Sequence, residues 1–132
     1  MEFQSEDGKP RKSGHSLAVA WRFAFRGLAA AASQESSVRL LLALGVVAIS
    51  AAVLLRVSTT ELFIVVVISL VVLATELMNS AIETLADAVH PDYNEIVGRA
   101  KDISAAAVLV MVVAAGIVGL VIFGPVVLAL VA

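Results

Sequence analysis

Glu76, Asn79, Glu83 and Asp87 recur at steps of three and four residues along one segment of the chain. On a helix turning 100° per residue, with Glu76 at zero, Asn79 falls at about −60°, Glu83 at about −20° and Asp87 at about +20°. The four share a stripe about 80° wide. Glu76 and Glu83 stand about 10 Å apart along the axis, too far to grip one ion together but suited to two different jobs. One carboxylate can bind Mg²⁺ while the other takes a proton from a substrate. Asn79 between them can orient either group, and Arg99 and Lys101 supply positive charge for a phosphate. The alternative is a polar stripe that ties helices together. Against it, three carboxylates on one stripe repel one another unless a cation sits among them. These residues alone do not separate phosphoryl transfer from an ion pathway.

The elements around the stripe are apolar. It lies in the second half of ELFIVVVISLVVLATELMNSAIETLADAV, Glu61 to Val89. Carboxylates at membrane depth cost at least roughly 2.5–3.5 kcal/mol each, so they mark a functional site by default. The 132-residue chain is 61% hydrophobic and only 15% charged, well below the roughly 25% charge of soluble domains. With a mean hydropathy of +1.02 it reads as an all-α integral membrane protein of one domain. A net charge of −2 gives no electrostatic case for a nucleic-acid partner. Without cysteine there is no disulfide, thiolate chemistry or Cys-based metal site. His15 and His90 lie far apart in sequence and do not form a His-rich site.

Three spans are expected, at about 38–57, 62–88 and 103–131, each long enough for the roughly 20 residues a crossing needs. The turn RVSTTE makes the first two antiparallel neighbours, and Val89 to Asp102, with Pro91 and Gly98, reads as a loop with some helical turn. Residues 1–15 are expected to form a flexible polar tail and 16–132 the membrane domain. Six basic residues from Lys9 to Arg39 precede the first span, and Arg99 and Lys101 lie between the second and third. Only Arg56 lies opposite, so the N-terminus and second loop are expected in the cytoplasm. That sets the stripe across the cytoplasmic interface. About 20 residues of hydrocarbon from Leu62 end near Ala81, with Glu76 and Asn79 inside.

Residues 16–34 form a further helix candidate. Leu17, Trp21, Phe25, Leu28 and Ala32 share one face while His15, Arg22 and Arg26 flank it, the pattern of a helix lying in the membrane surface. The alternative is a helix packed on a partner outside the membrane. Glu35, in SQESS, reads by itself as a solvated turn carboxylate. There is no Walker A loop, protein-kinase glycine loop, GxSxG or HExxH. Gly116 and Gly119 are expected to allow close helix approach, and Gly124-Pro125 to kink or end the third span.

Glu76-Leu-Met-Asn79-Ser80-Ala81-Ile82-Glu83, followed by Asp87, resembles the signature of the small prokaryotic diacylglycerol kinase and undecaprenol kinase family. Gly98-Arg99-Ala100-Lys101-Asp102, leading into Ala105-Ala106-Ala107-Val108-Leu109, is similar to its second block, and Phe25-Arg26-Gly27-Leu28 with Gln34-Glu35 to its N-terminal portion. The likeness covers about 16–125. It implies a homotrimer in the bacterial cytoplasmic membrane, each chain with a surface helix and three spans. The reaction it implies moves the γ-phosphoryl group of MgATP onto the hydroxyl of a membrane lipid. Carried over by residue, Glu76 becomes the general base on that hydroxyl. Glu35 and Glu83 become the Mg²⁺ ligands, which reverses the reading of Glu35 as a turn residue. Asn79 and Lys101 position phosphates and Asp87 and Asp102 help hold the nucleotide, with Gly98 also among the nucleotide- and phosphate-binding positions. Because the family shares its site between neighbouring chains, Glu35 need not meet Glu83 in its own subunit.

Departures from the pattern are few. Ala86 stands where the signature usually has Val, and Phe23 where some members have Tyr. Asn94 follows Tyr93 where many members have a His near the nucleotide, and His90, four residues early, is not taken as its substitute. The expected function is a lipid kinase acting on diacylglycerol, with undecaprenol as the alternative acceptor: NSAIE and GRAKD lean to the first, FAFRGL and IFGP to the second. The rivals are a small cation or proton transport subunit and a non-catalytic membrane scaffold. Transport predicts carboxylates through the full bilayer depth, whereas these gather at one end.

Overall fold

The computed structural model describes residues 17–131, with side chains through Ala129; the expected tail at 1–15, and His15 and Ser16 of the first helix candidate, lie outside them. Four helices and no strands occupy the described residues: α1 (Leu17–Gln34), α2 (Ser36–Leu54), α3 (Thr59–Val89) and α4 (Glu95–Val131). The last three are long and apolar enough to cross a membrane. α3 is the central element, packed against α4 and α2, while α1 touches α2 and α3 more lightly. α3 and α4 run antiparallel, so the C-terminal end of α3, the start of α4 and the α1–α2 junction share one end of the bundle.

The helix ends follow from local chemistry. α1 stops at Glu35, whose extended backbone (φ −102°, ψ 122°) starts α2. Arg39 donates from one guanidinium nitrogen to the carbonyls of Ala32 and Ser33, each at 3.2 Å, closing the open end of α1. α2 ends in a Schellman turn. Arg56 N–H bonds to the Val53 carbonyl at 3.1 Å and Val57 N–H to the Ala52 carbonyl at 3.2 Å. Arg56 takes the left-handed backbone (φ 53°) that this turn demands of its pivot residue, a position usually held by glycine. α3 opens on a capping box, in which Ser58 Oγ accepts from Glu61 N–H at 3.3 Å and Ser58 N–H donates to Glu61 Oε2 at 2.8 Å.

The expected 89–102 loop shrinks to five residues, His90–Asn94. Asn94 Oδ1 accepts from the N–H groups of Ile96 (2.9 Å) and Val97 (3.2 Å), an N-cap that starts α4 directly after the loop. Of the two breakers in that segment, Pro91 falls in the loop, while Gly98 is absorbed into the first turns of the helix. Nor does Gly124-Pro125 end the third span: α4 runs through Pro125 to Val131. The missing proline N–H leaves one carbonyl of the preceding turn free, which membrane helices tolerate.

Little is buried within one chain. The core is Val38, Ala52, Val65, Val72 and Ile122, and large apolar residues such as Leu54, Phe63, Leu120 and Leu128 stay exposed. This suits a chain whose surroundings are as apolar as its side chains, where helix contact rests on close fit and polar links. Gly45 shows such a contact, since a Cβ built there would lie 3.6 Å from Ser69 Cβ on α3. Gly116 and Gly119 do not: beyond their own helix backbone, nothing among the described residues lies within 4 Å of where their Cβ atoms would sit. The small-residue approach therefore joins α2 to α3. The hydroxyls of Ser69, Thr75 and Thr84 donate to carbonyls four residues back, satisfying themselves inside α3.

Arg56→Gly should raise unfolding stability in detergent micelles by about 1 kcal/mol, because glycine adopts the left-handed pivot without a steric cost. A lower midpoint in a denaturant titration would show that the arginine side chain contributes more than its backbone costs.

Candidate functional site at the polar end of the bundle

Val65, Val72, Glu76 and Asn79 are the buried residues of α3. Measured from Glu76, Val65 and Val72 fall at about −20° and −40°, so the stripe continues the face that α3 buries. Burial then declines along it: Glu76 and Asn79 are 6% and 9% exposed, Glu83 is half-buried and Asp87 is exposed. α3 is long enough for this gradient, since its 31 residues span about 46 Å against roughly 30 Å of hydrocarbon.

α4 completes the site. Ser104 Oγ, buried, donates to Asn79 Oδ1 at 2.6 Å and also lies 2.8 Å from the Lys101 carbonyl oxygen. Asn79 Nδ2 in turn donates to Glu83 Oε1 at 2.9 Å. One turn nearer the end, Lys101 Nζ pairs with Asp87 Oδ1 at 2.8 Å. Lys101 precedes the apolar run of α4 that begins at Ile103. The hydrogen bond that Lys101 donates to Asp87 lifts its pKa above the usual lysine value, with desolvation opposing and smaller attractions from the charges of Asp87 and Glu83 adding to it. α4 thus supplies to Asp87, and at longer range to Glu83, the cation that three carboxylates on one stripe require.

Glu76 has a different setting. The side-chain bonds of the stripe run among Ser104, Asn79 and Glu83, and none reaches Glu76 among the described residues. No side-chain oxygen or nitrogen among those residues is both sealed from the surface and unpartnered, so this carboxylate keeps an opening. A nearly buried carboxylate with an open oxygen, beside an anchored amide, is placed to take a proton from a group that enters from outside.

Glu35 lies elsewhere. With Gln34 it lines a groove of about 890 Å³ between α1 and α3, whose α3 wall includes Leu73, Leu77, Ala81 and Thr84. Those residues centre about 100° around α3 from Glu76, so within one chain Glu35 and Glu83 serve different faces. No group of three or more His, Cys, Asp or Glu side chains among the described residues could hold a metal. Mg²⁺ does not need one: it commonly takes one or two carboxylates and completes its shell with water and substrate phosphates. Glu83 fits that use, since Asn79 occupies one of its oxygens and leaves the other.

The remaining expected site residues divide. Asp102 is exposed and about 100° around α4 from Lys101, away from the Ser104 side. Gly98 spends its N–H on the Asn94 carbonyl at 2.8 Å, so it offers open space in place of a side chain rather than a free donor. Asn94, the departure from the family pattern, works as the cap of α4. His90 Nε2 comes within 3.5 Å of Asn94 Nδ2, so the histidine set aside for its sequence position is a spatial neighbour of Asn94. Two residues escaped the sequence reading: Ser104 and the capping role of Asn94. Ser104 had a readable signal, because a position three residues after Lys101 falls on the same side of a helix.

Comparison with known proteins agrees with this architecture. Residues 22–123 match the family described as prokaryotic diacylglycerol kinase. A protein of Synechocystis named diacylglycerol kinase is 36% identical over 104 residues, 78% of this chain; the match spans 59% of that longer relative. Proteins with the same name from Haemophilus influenzae and Pseudomonas aeruginosa are 32% and 37% identical, over 74% and 80% of this chain and 82% and 81% of their own lengths. A membrane-spanning chain with its polar residues gathered at one end of a helix pair, matched over most of its length, belongs to the prokaryotic diacylglycerol kinase family of membrane lipid kinases.

Proposed function

We propose that this chain transfers the γ-phosphoryl group of MgATP to the hydroxyl of a membrane lipid, with diacylglycerol as acceptor and phosphatidic acid as product. The observation that carries this reading is Glu76, nearly buried yet open, one turn from an asparagine anchored to a second carboxylate. The shared name of the relatives supports diacylglycerol over undecaprenol. The excess of Lys and Arg on one side supports a cytoplasmic N-terminus and site in the bacterial inner membrane.

In this reading Glu76 accepts the proton of the lipid hydroxyl as its oxygen attacks the γ-phosphorus. The bond from that phosphorus to the bridging oxygen breaks, and ADP leaves with the electron pair. Catalysis of this kind is mostly positioning and charge neutralisation, which a few fixed side chains can supply. Asn79 retains a second N–H for a phosphate oxygen, and Lys101, held by Asp87, brings positive charge to the nucleotide. Asp102 and the open flank of Gly98 lie beside it on the first turns of α4. Mg²⁺, when bound, neutralises phosphate charge, with Glu83 and Glu35 as its carboxylates. Since Glu35, at the α1–α2 junction, opens onto a groove along a different face of α3 from Glu83, a site that uses both would be completed between neighbouring copies, as in a homotrimer. The apolar groove between α1 and α3 suits an acyl chain, and α1, with Trp21 and Phe25 exposed, suits the membrane surface.

Purified protein in mixed micelles with radiolabelled ATP and Mg²⁺ should label diacylglycerol. Label in neither lipid would overturn the kinase reading, and label in undecaprenol alone would change the acceptor. Glu76→Gln should lower turnover by on the order of 10²–10⁴-fold with nucleotide affinity largely kept; near-full activity would remove the general base. Glu83→Gln should raise the Mg²⁺ needed for half-maximal rate, and an unchanged titration would refute its ligand role. Asp87→Asn should leave the unfolding midpoint unchanged, because an exposed ion pair contributes little to folding; a large drop would make the pair structural.

A further inference from the structure

Only three polar side chains are buried among the described residues: Glu76, Asn79 and Ser104. The proposed mechanism uses the first two and leaves Ser104 without a task. Its hydroxyl carries one proton and has two acceptors in reach, Asn79 Oδ1 at 2.6 Å and the Lys101 carbonyl at 2.8 Å. The carbonyl lies within α4 and can receive a backbone N–H from the next turn. Asn79 Oδ1 receives no other hydrogen bond among the described residues. The shorter contact and the greater need coincide, so the proton belongs to Asn79.

The Glu83 carboxylate, an acceptor only, calls for the amide N–H₂ on its side, and the Ser104 donation holds the oxygen end of the amide in that orientation. With Oδ1 turned to Ser104, Nδ2 meets Glu83 Oε1 at 2.9 Å, donor to acceptor. Turned over, the amide would set its oxygen against an ionised carboxylate oxygen, and nothing would hold Glu83. A hydroxyl on α4 thereby controls the carboxylate of Glu83 on α3 through one intervening side chain. Orienting partners of this kind commonly change metal affinity or activity by 10–100-fold when removed.

We infer that Ser104 is a positioning residue: by fixing the Asn79 amide it makes Asn79 hold one oxygen of Glu83 and present the other to the cation of a metal–nucleotide complex. This rests on the proposed role of Glu83 as a metal ligand. Ser104 touches neither metal nor substrate in this scheme, and its effect passes entirely through Asn79.

The test is Mn²⁺ binding to the full chain in detergent micelles with a non-hydrolysable ATP analogue, followed by electron paramagnetic resonance. Ser104→Ala should weaken Mn²⁺ binding on the order of tenfold and raise the half-maximal Mg²⁺ of the kinase assay in parallel, with kcat at saturating Mg²⁺ retained. Ser104→Thr, which keeps the hydroxyl, should restore both, and the unfolding midpoint of each variant separates a local change from a loss of fold. In an Asn79→Ala background, adding Ser104→Ala should have no further effect. Wild-type Mn²⁺ binding that depends on Glu83 but ignores Ser104→Ala would overturn this inference alone. Equal weakening with and without Asn79 would overturn the route through the amide. Wild-type Mn²⁺ binding indifferent to Glu83→Gln would overturn the underlying reading of Glu83, and the inference with it.

Discussion

Between α3 and α4 one buried hydrogen bond holds the register of the polar end, and one exposed ion pair lies beyond it. Ser104 reaches Asn79, and Lys101 reaches Asp87. The two contacts are unevenly spaced: Asn79 to Asp87 spans about 12 Å along α3, whereas Ser104 to Lys101 spans about 4.5 Å along α4. The difference of about 7.5 Å is of the order that a lysine stem can bridge on its way to Asp87. The buried link is tight and the exposed one long and adaptable. That division suits a site whose deep half must hold geometry and whose outer half must admit a charged ligand.

Burial along α3 sets the chemistry available at each level. Glu76 and Asn79 sit where packed helices have removed most water, so electrostatic contacts there are stronger than in solution. Glu83 is half-buried and tethered, and Asp87 is solvated and paired. A lipid headgroup hydroxyl and a water-borne nucleotide approach such a boundary from opposite sides. In the proposed reaction a single helix carrying polar residues across it serves both. Few of the described residues are buried, and the apolar faces left outward are available to lipid and to neighbouring copies.

Much of this arrangement was legible in order of residue type. The spans, the antiparallel hairpin and the common face of Glu76, Asn79, Glu83 and Asp87 follow from a 3.6-residue period in a strongly apolar chain. The length of the second connection did not, because Gly98 reads as a breaker until Asn94 is seen capping the helix that contains it. Of the two readings of Pro125, a kink or a helix end, the structure removes the end, since a membrane helix can continue past a residue that removes one hydrogen bond. Small residues permit close approach, but only the packing chooses which glycine uses the permission: among the described residues of this chain it is Gly45, while Gly116 and Gly119 keep open flanks.

The sequence by itself determined what α3 carries and how far along the axis each group stands, because a helix converts residue number into angle and rise with little freedom. It also supplied the family blocks in which Glu35 gains a meaning that periodicity denies it. Only the tertiary structure decided what faces the stripe. Which α4 residues meet α3 depends on the offset between two helices, and that offset is set by a short capped loop and by side chains far apart in sequence. Ser104 therefore appears as a partner of Asn79 and Asp102 as an outward neighbour, while Glu35 is separated from Glu83 by a third of a turn of α3. Helix period cannot report these relations, since they belong to the contact between elements and not to any one of them.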